Sequence, residues 1–476
     1  AGPVGVALGF QLRRDEIDDT PDDQSVRRNT YNYTSSLPTR GEDTVREVFG
    51  EIEIPILAGM AFADSLTVNG SARWSDYDSY GSSSTYKGSV NWQITPAWRL
   101  RVTHGTSFRA PSLFEQFLGG RLGFQGQGID PCLEPETITN PVLQANCYAG
   151  RDINSDGDYN DPGDLTPVPV GYTGAGQLSA SVYLAGGAAV GLEPETSQAT
   201  TFGVIWTPSF IDLNVAVNYF DIEVEDEVRR FGSNNILFEC YSSTSFPTDP
   251  YCDLIERNAV GSPRITTVYD AYTNIASQTN RGIDMSVRYG HEFSFGDLTL
   301  DGQFTWQLED RTLIAAGGTV EDSNGETLEP HFTGNVGARF DRGDWTFAWN
   351  VDLIGKASDT EAFGGDVFQS TAVSDIPNGD FYVCSGGFSP GAPPPPTSTA
   401  VCARDVYYKQ YTEFSTYHDA SVRYRMDNYT FTFGIQNIFD EDPPSQSAGQ
   451  LRIGTAAIGA FDLLGRRAFF DVTARF

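Results

Sequence analysis

The chain has 476 residues with 63 acidic side chains against 31 Lys and Arg, a formal net charge of −32, which argues against nucleic-acid binding because neutralising phosphates needs a surplus of cations. Only 39% of residues are hydrophobic, mean hydropathy is −0.31, and no run approaches the ~20 apolar residues of a membrane-spanning helix. Yet 31 Phe, 22 Tyr and 7 Trp beside 49 Gly are too many for a disordered acidic chain, so the composition predicts a folded, β-rich protein.

From the N-terminus, Ala1-Gly2-Pro3-Val4 carries neither an initiator Met nor the segments of a secretion signal, so the sequence reads as processed or partial. Asp15 to Asp23 reads as a solvated acidic loop able to attract cations. From Tyr86 to Ile94 the residues alternate: Tyr86, Val90, Trp92 and Ile94 share one face, and Lys87, Ser89, Asn91 and Gln93 the other. That two-residue period predicts a strand with one apolar side. The turn 95–98 and a second alternating run, Arg99 to Thr103, complete a hairpin. Residues 213–219, 418–425 and 429–436 repeat the pattern, and the count reaches about fourteen strands of ~10 residues, the length of a tilted membrane strand.

The connections separate a membrane barrel from a soluble sandwich. Short links at 58–64, 95–98, 207–212, 341–344 and 427–428 alternate with long ones at 15–45, 76–83, 105–195, 230–274, 311–330, 357–413 and 438–460. In an up-and-down barrel this places short turns at the periplasmic end and long loops outside the cell. The predicted fold is an all-β, transmembrane antiparallel β-barrel occupying residues 1–476. At the C-terminus, residues 468, 470, 472, 474 and 476 form an apolar face ending on Phe476, as a lipid-facing last strand does.

The long loops hold the chemical features. Cys132/Cys147, Cys240/Cys252 and Cys384/Cys402 lie in polar, Gly/Pro/Ser-rich stretches without C-x-x-C spacing, so local disulfides in an oxidising compartment are expected among the 15 possible connectivities. Asp152, Asn154 and Asp156 at positions 1, 3 and 5, then Gly157 at 6, follow the calcium-loop rule, because Ca²⁺ takes six to eight oxygen ligands and Gly permits the sharp turn. Asp158, Asn160, Asp161 and Asp164 complete the expected ligand set, although position 12 is Gly163 rather than Glu. The ion is expected to stiffen the loop. Pro390-Gly391-Ala392-Pro393-Pro394-Pro395-Pro396 reads as a stiff loop tip. Lys87, Arg99, Arg101, Arg423 and Arg425 read as inward-facing lumen cations, and Phe231, Phe238, Tyr241, Phe381 and Tyr382 as candidate ligand contacts. No G-x-S-x-G, H-E-x-x-H or P-loop occurs and the four His have no metal-binding spacing, so an enzyme is not expected.

Leu100 to Phe117, with Phe108-Arg109-Ala110-Pro111-Ser112 inside it, resembles the segment that climbs into an extracellular loop in TonB-dependent outer-membrane receptors. Leu192-Glu193-Pro194-Glu195-Thr196, Asn280-Arg281-Gly282-Ile283-Asp284 and Gly434-Ile435-Gln436-Asn437-Ile438-Phe439-Asp440 are similar to later landmarks of that family, in order. The resemblance implies a multi-pass outer-membrane barrel of 22 strands around an N-terminal plug. Its partners would be membrane lipid and lipopolysaccharide, a small-molecule ligand such as a siderophore, vitamin or oligosaccharide, and the TonB complex. About fourteen strands and no plug are expected here, so a break between the family's eighth and ninth strands would produce this chain. A passive fourteen-stranded channel and a surface-adhesion barrel are the alternatives.

Overall fold

A computed structural model describes residues 2–27, 29, 36–159, 161, 163–174, 179–188, 191–257, 263–313, 320–358, 371–372, 407–408, 411–444 and 461–475. Cys384, Cys402, Pro390 to Pro396, Phe381, Tyr382 and Asn160 lie outside them.

Fourteen long strands form one sheet: β1 (Gly5–Asp19), β2 (Thr39–Met60), β3 (Ala63–Tyr77), β4 (Gly81–Thr95), β5 (Trp98–Arg109), β6 (Glu195–Trp206), β7 (Asp212–Arg230), β8 (Ile265–Phe293), β9 (Gly296–Leu313), β10 (Phe332–Arg342), β11 (Trp345–Ile354), β12 (Ser415–Met426), β13 (Tyr429–Gln436) and β14 (Arg467–Ala474). Each pairs antiparallel with the next. The result is an up-and-down meander of the transmembrane-barrel type. Among the described residues β1 and β14 do not pair with each other, so the wall is open along those two edges.

The alternation has the predicted sense. Leu8 and Phe10 on β1, Ile52 on β2, Trp92 on β4, Trp345 and Phe347 on β11 and Phe470 on β14 are exposed on the outer face. Residues of the opposite parity, including Arg13, Glu47, Arg73, Asn91 and Arg101, face inward, where Arg73 bonds Glu47 at 3.5 Å and Arg101 bonds Asn218 at 3.1 Å. In water, leaving such rows uncovered would forfeit about 25 cal/mol per Å². A lipid exterior removes that cost while the inner row meets water or protein.

Four expectations need correction. Strands run longer than ~10 residues, to 22 in β2 and 29 in β8, because pairing continues past the membrane thickness. The acidic stretch after Asp15 is not all loop: β1 extends to Asp19, where Arg40 donates to Asp18 at 3.0 Å and Arg14 pairs with Glu42. The link at 76–83 shortens to residues 78–80, since Tyr77 and Gly81 face each other at a hairpin end. The hairpin at 293–296 is an additional short turn.

The largest correction concerns 105–195 and 230–274, which are not open loops but one folded cap. Helices α1 (Leu113–Phe117), α2 (Pro141–Ala149) and α3 (Ser233–Ser242) and short strands Arg121–Gly126, Ser179–Ala185 and Ile255–Arg257 fill them. The strand Ser179–Ala185 lies between Arg121–Gly126 and the outer end of β8, tying the cap to the wall. Inside is the main hydrophobic core among the described residues, including Leu143, Leu165, Val168, Ile236, Leu237, Ile255, Ile265 and Val268. Cys132–Cys147 and Cys240–Cys252 are disulfides with Cα–Cα distances of 5.6 and 4.9 Å, all four sulfurs within that core. Such short loops are worth about 3 kcal/mol each in chain entropy.

A buried ion pair joins the halves of the cap. Arg257 donates to Asp130 at 2.6 and 2.9 Å and to the Tyr241 hydroxyl at 2.8 Å, with both charged side chains fully buried. Burial alone would push the guanidinium down, but Tyr241 and Asp130 hold it above its ordinary value. Removing one partner leaves an uncompensated buried charge, which costs about 3–5 kcal/mol. Asp130→Asn is therefore expected to raise hydrogen exchange throughout α2 and α3 while β9 to β11 keep their protection. Loss of protection in cap and wall together would show that they are one cooperative unit.

Candidate functional site

The landmark sequences turn out to be brackets at the outer rim. Arg109, the last residue of β5, donates to Glu195 at 2.7 and 2.5 Å and to Glu115 at 2.9 and 3.1 Å. Glu115 belongs to a capping box in which Ser112 accepts its N–H at 3.2 Å and Glu115 accepts the N–H of Ser112 at 2.7 Å. The arrangement starts α1 at a defined angle, because both orphan donors of the first turn are met. Arg109 and Ser112 therefore anchor the 85-residue excursion at the place where it leaves the wall.

Arg281 on β8 gathers Asp221 at 2.8 Å, Glu223 at 3.1 Å and Glu309 at 2.7 Å from the strands on either side. Beside it a bulge falls between Arg281 and Gly282, and a Cβ at Gly282 would meet the Phe220 ring at 2.4 Å and the Trp306 carbonyl oxygen at 2.8 Å, so a side chain there would force both to shift. Asn274 bonds both the N–H and C=O of Glu193 at 2.8 Å. Asn437, left-handed at φ +48°, exchanges two bonds with the backbone of Glu441 and donates its own N–H to Asp419 at 2.9 Å. Arg281 ties three adjacent strands together, and Asn274 and Asn437 each fix a loop to a strand.

The acidic stretch 152–164 projects from the cap as a tight coil. Asp152 accepts N–H bonds from Ser155 at 2.7 Å and Gly157 at 2.9 Å, and Gly157 adopts φ +89°. Buried Asp164 accepts from Ile153 and Asp161, each at 2.9 Å, and so closes the base. Asn154 donates to Asp156 at 3.0 Å and to Asp161 at 2.5 Å. Carboxylate oxygens of Asp156, Asp158 and Asp161 come within 4.8 Å of one another. Partial desolvation, then the charges of Asp156, Asp158, Asp164 and Asp152, push the Asp161 carboxyl up. At the stem, nearly buried Arg151 bonds the Gly163 carbonyl and Asp253, each at 2.8 Å. Sequence reading did not single out Arg151, because a lone arginine beside an acidic loop carries no local signal.

The aromatic candidates divide. Tyr241 is 1% exposed and belongs to the cap core rather than to a ligand surface. Phe238 is exposed on α3, and Phe231 stacks on Tyr251 at 4.8 Å. Phe231 and Tyr251 line a cavity of about 250 Å³ with Tyr183, Tyr269, Ile236, Leu254 and Asp270. Tyr183, Tyr251 and Tyr269 come from three separate segments, so no sequence window reveals the cluster.

Of the inward cations, Arg99, Arg101, Arg423 and Arg425 lie toward the short-turn end, whereas Lys87 lies midway along β4 opposite Gly105. Arg99 bonds Gln93 at 2.5 Å and Arg101 bonds Asn218 at 3.1 and 2.6 Å, around a polar hollow that Ser286 and Asn214 also line. Arg423 and Arg425 line a second hollow with Arg475 and Thr432.

The family model described as "TonB dependent receptor-like, beta-barrel" matches residues 3–438. Among curated proteins no sequence matches. Solved structures with the same fold include the ferric enterobactin receptor PfeA of Pseudomonas aeruginosa, 14% identical with a TM-score of 0.56, of which the chain covers 51% using 99% of its own length. The siderophore receptor PirA of Acinetobacter baumannii is 12% identical with a TM-score of 0.55, with 52% of it and all of this chain aligned. The chain thus spans about half the length of the solved structures that it matches.

Replacing Arg109 by Gln removes a charged partner from nearly buried Glu195. With half-exposure of the arginine discounted, the rim is expected to lose about 1–2 kcal/mol of local stability. Exchange at α1 and at the outer end of β6 reports it, and unchanged protection there would show that the bracket is ornamental.

Proposed function

The chain belongs to the TonB-dependent receptor β-barrel family, and from that premise we propose that it is the membrane-spanning and ligand-capturing part of an outer-membrane receptor. The receptor takes up a scarce small nutrient at its extracellular cap and imports it with energy delivered through TonB. One observation carries the reading: a rigid, doubly disulfide-bonded cap stands at the long-connection end of a wall whose inner face is polar. Such a rim can select a solute, and the polar interior can pass it, whereas an adhesion surface needs no hydrophilic path beneath it.

The open edges at β1 and β14 support a wall that is completed by further strands, to the 22 of the family, around an N-terminal plug in the same or another polypeptide. Capture and coupling to TonB are assigned to that whole assembly. The fold neighbours include receptors for ferric enterobactin and another siderophore, so a siderophore-sized chelate is the first substrate to try, with vitamins and oligosaccharides next. No catalytic residue is required, since pulling on a plug changes access rather than bonds.

We also propose that the coil at 152–164 holds a structural Ca²⁺. Asp152, Asn154, Asp156, Asp158 and Asp161, with Asn160 from the sequence, supply oxygens. The bond from Gly157 N–H to Asp152 already sets the turn, and a divalent cation would offset the mutual repulsion of Asp156, Asp158 and Asp161. Asp164 serves as the clasp beneath.

Two measurements test these readings. Cells expressing the gene with its upstream coding region are expected to accumulate labelled ferric siderophore only when TonB is present. Uptake that persists without TonB overturns active transport, and steady conductance from this chain alone in planar bilayers favours a passive channel. Calorimetry is expected to show Ca²⁺ binding at ~10⁻⁴ to 10⁻³ M, abolished in Asp156→Asn/Asp158→Asn. The affinity should weaken as pH falls toward the carboxylate range, earlier than ordinary aspartates would dictate, because the raised Asp161 takes up its proton first. Absence of heat at millimolar Ca²⁺ would remove the ion from the account.

A further inference from the structure

The cap cavity between Ser179–Ala185, α3 and the outer end of β8 has a composition that neither the wall nor the core explains. Four aromatic rings line it, Tyr183, Phe231, Tyr251 and Tyr269, together with Ile236, Leu254 and one carboxylate residue, Asp270. Tyr183 and Tyr269 meet edge to face at 5.8 Å, and Phe231 and Tyr251 stack at 4.8 Å, so the rings brace one another in two pairs. Tyr269 stays 38% exposed although it stands in the cavity wall, which leaves the hollow open to solvent.

The polar groups around the cavity are mainly acidic, with Arg230 the cation set against them. Asp270 is only 3% exposed, accepts the Gly232 N–H at 3.2 Å, and has Arg230 at 3.8 Å, outside hydrogen-bond range. The Tyr269 hydroxyl donates to Glu256 at 2.8 Å, bringing a second carboxylate to the rim. Burial, then the charges of Glu239 and Asp249, push the Tyr251 phenol up. Ring faces and carboxylates attract the same class of ligand, a soft organic cation, because the quadrupole of an aromatic ring is negative over its face. A neutral apolar guest would gain from the rings but would add no charge interaction with Asp270, whose present partners are the Gly232 N–H and the Arg230 guanidinium. An anion would be repelled by both. The volume of about 250 Å³ suits a headgroup rather than a whole siderophore.

We propose that this cavity is a binding site for a small alkylammonium group, held by the four rings and by Asp270, with half-exposed Arg230 as the competing internal cation. The inference stands apart from import: it requires only that the cap face the solvent, and it holds whether or not TonB drives uptake.

The test uses the full chain in a maltoside detergent, which carries no ammonium group, with choline and its neutral isostere 3,3-dimethylbutan-1-ol followed by saturation-transfer NMR. Choline is expected to bind in the millimolar range and about tenfold more tightly than the alcohol. Asp270→Asn should erase most of that preference and Tyr269→Leu should weaken choline several-fold. Arg230→Gln should tighten choline, an effect that a merely apolar hollow would not show. Tyr183→Phe keeps the ring and should bind as the parent does, while unchanged exchange at α2 and α3 in every variant certifies a folded cap. Equal affinity for choline and the alcohol, no binding of either, or indifference to both Asp270→Asn and Arg230→Gln would overturn the proposal. Loss of TonB-dependent uptake with choline binding intact would instead count against transport.

Discussion

In hydrocarbon, a backbone N–H or C=O without a partner costs several kcal/mol, so a chain that crosses as strands must satisfy each group on a neighbour. That requirement organises this molecule. Fourteen strands pair only with their sequence neighbours in the wall, and register passes from hairpin to hairpin with few bulges. Once register is set, side chains alternate, apolar rows turn outward, and the inner face is left polar. The inner face of such a wall cannot serve as a hydrophobic core.

The core appears instead in the cap, where two excursions from the wall fold on each other. Leu165, Ile236, Val268 and their neighbours supply the apolar contacts, and two disulfides limit how far either excursion can open. The Arg257–Asp130 pair is a different kind of device. A buried ion pair adds little net stability but penalises every arrangement in which its partners separate, so it specifies one docking of the two excursions. A stiff cap loses less entropy on binding than free loops of the same length would. The same cap lets four aromatic side chains from distant segments line one cavity.

Between wall and cap, the landmark motifs act as fasteners. Arg109 with Glu115 and Glu195, Asn274 with Glu193, and Asn437 with Glu441 each use side-chain hydrogen bonds to hold a departing or returning segment. The motifs around Arg109, Glu193 and Asn437 accordingly lie at strand ends, whereas Arg281 ties strands together in mid-wall. They resemble a family because the joint between strand and excursion is a shared mechanical problem, whereas what the excursion binds is not.

Alternation, the short turns and the pairing of Cys132 with Cys147 and Cys240 with Cys252 were legible in the sequence, because pairing between adjacent strands is local and side-chain period is fixed by backbone geometry. The motifs around Arg109, Glu195, Arg281 and Asn437 were legible as landmarks, but their task as brackets was not. Strand length was misjudged, since hydrogen bonding past the membrane leaves no change in composition, and Asp15 to Asp19 looked like loop although Arg14 and Arg40 face partners along a strand edge. The cap was invisible as a unit. Its core joins Cys132 to Val268, its ion pair joins residues 127 apart in sequence, and its cavity draws Tyr183, Tyr251 and Tyr269 from three segments. Sequence by itself determined what short-range physics controls, the strand, the turn and the face; only the tertiary structure decided which loops condense together, because that choice rests on burial and charge compensation between residues that no local pattern connects.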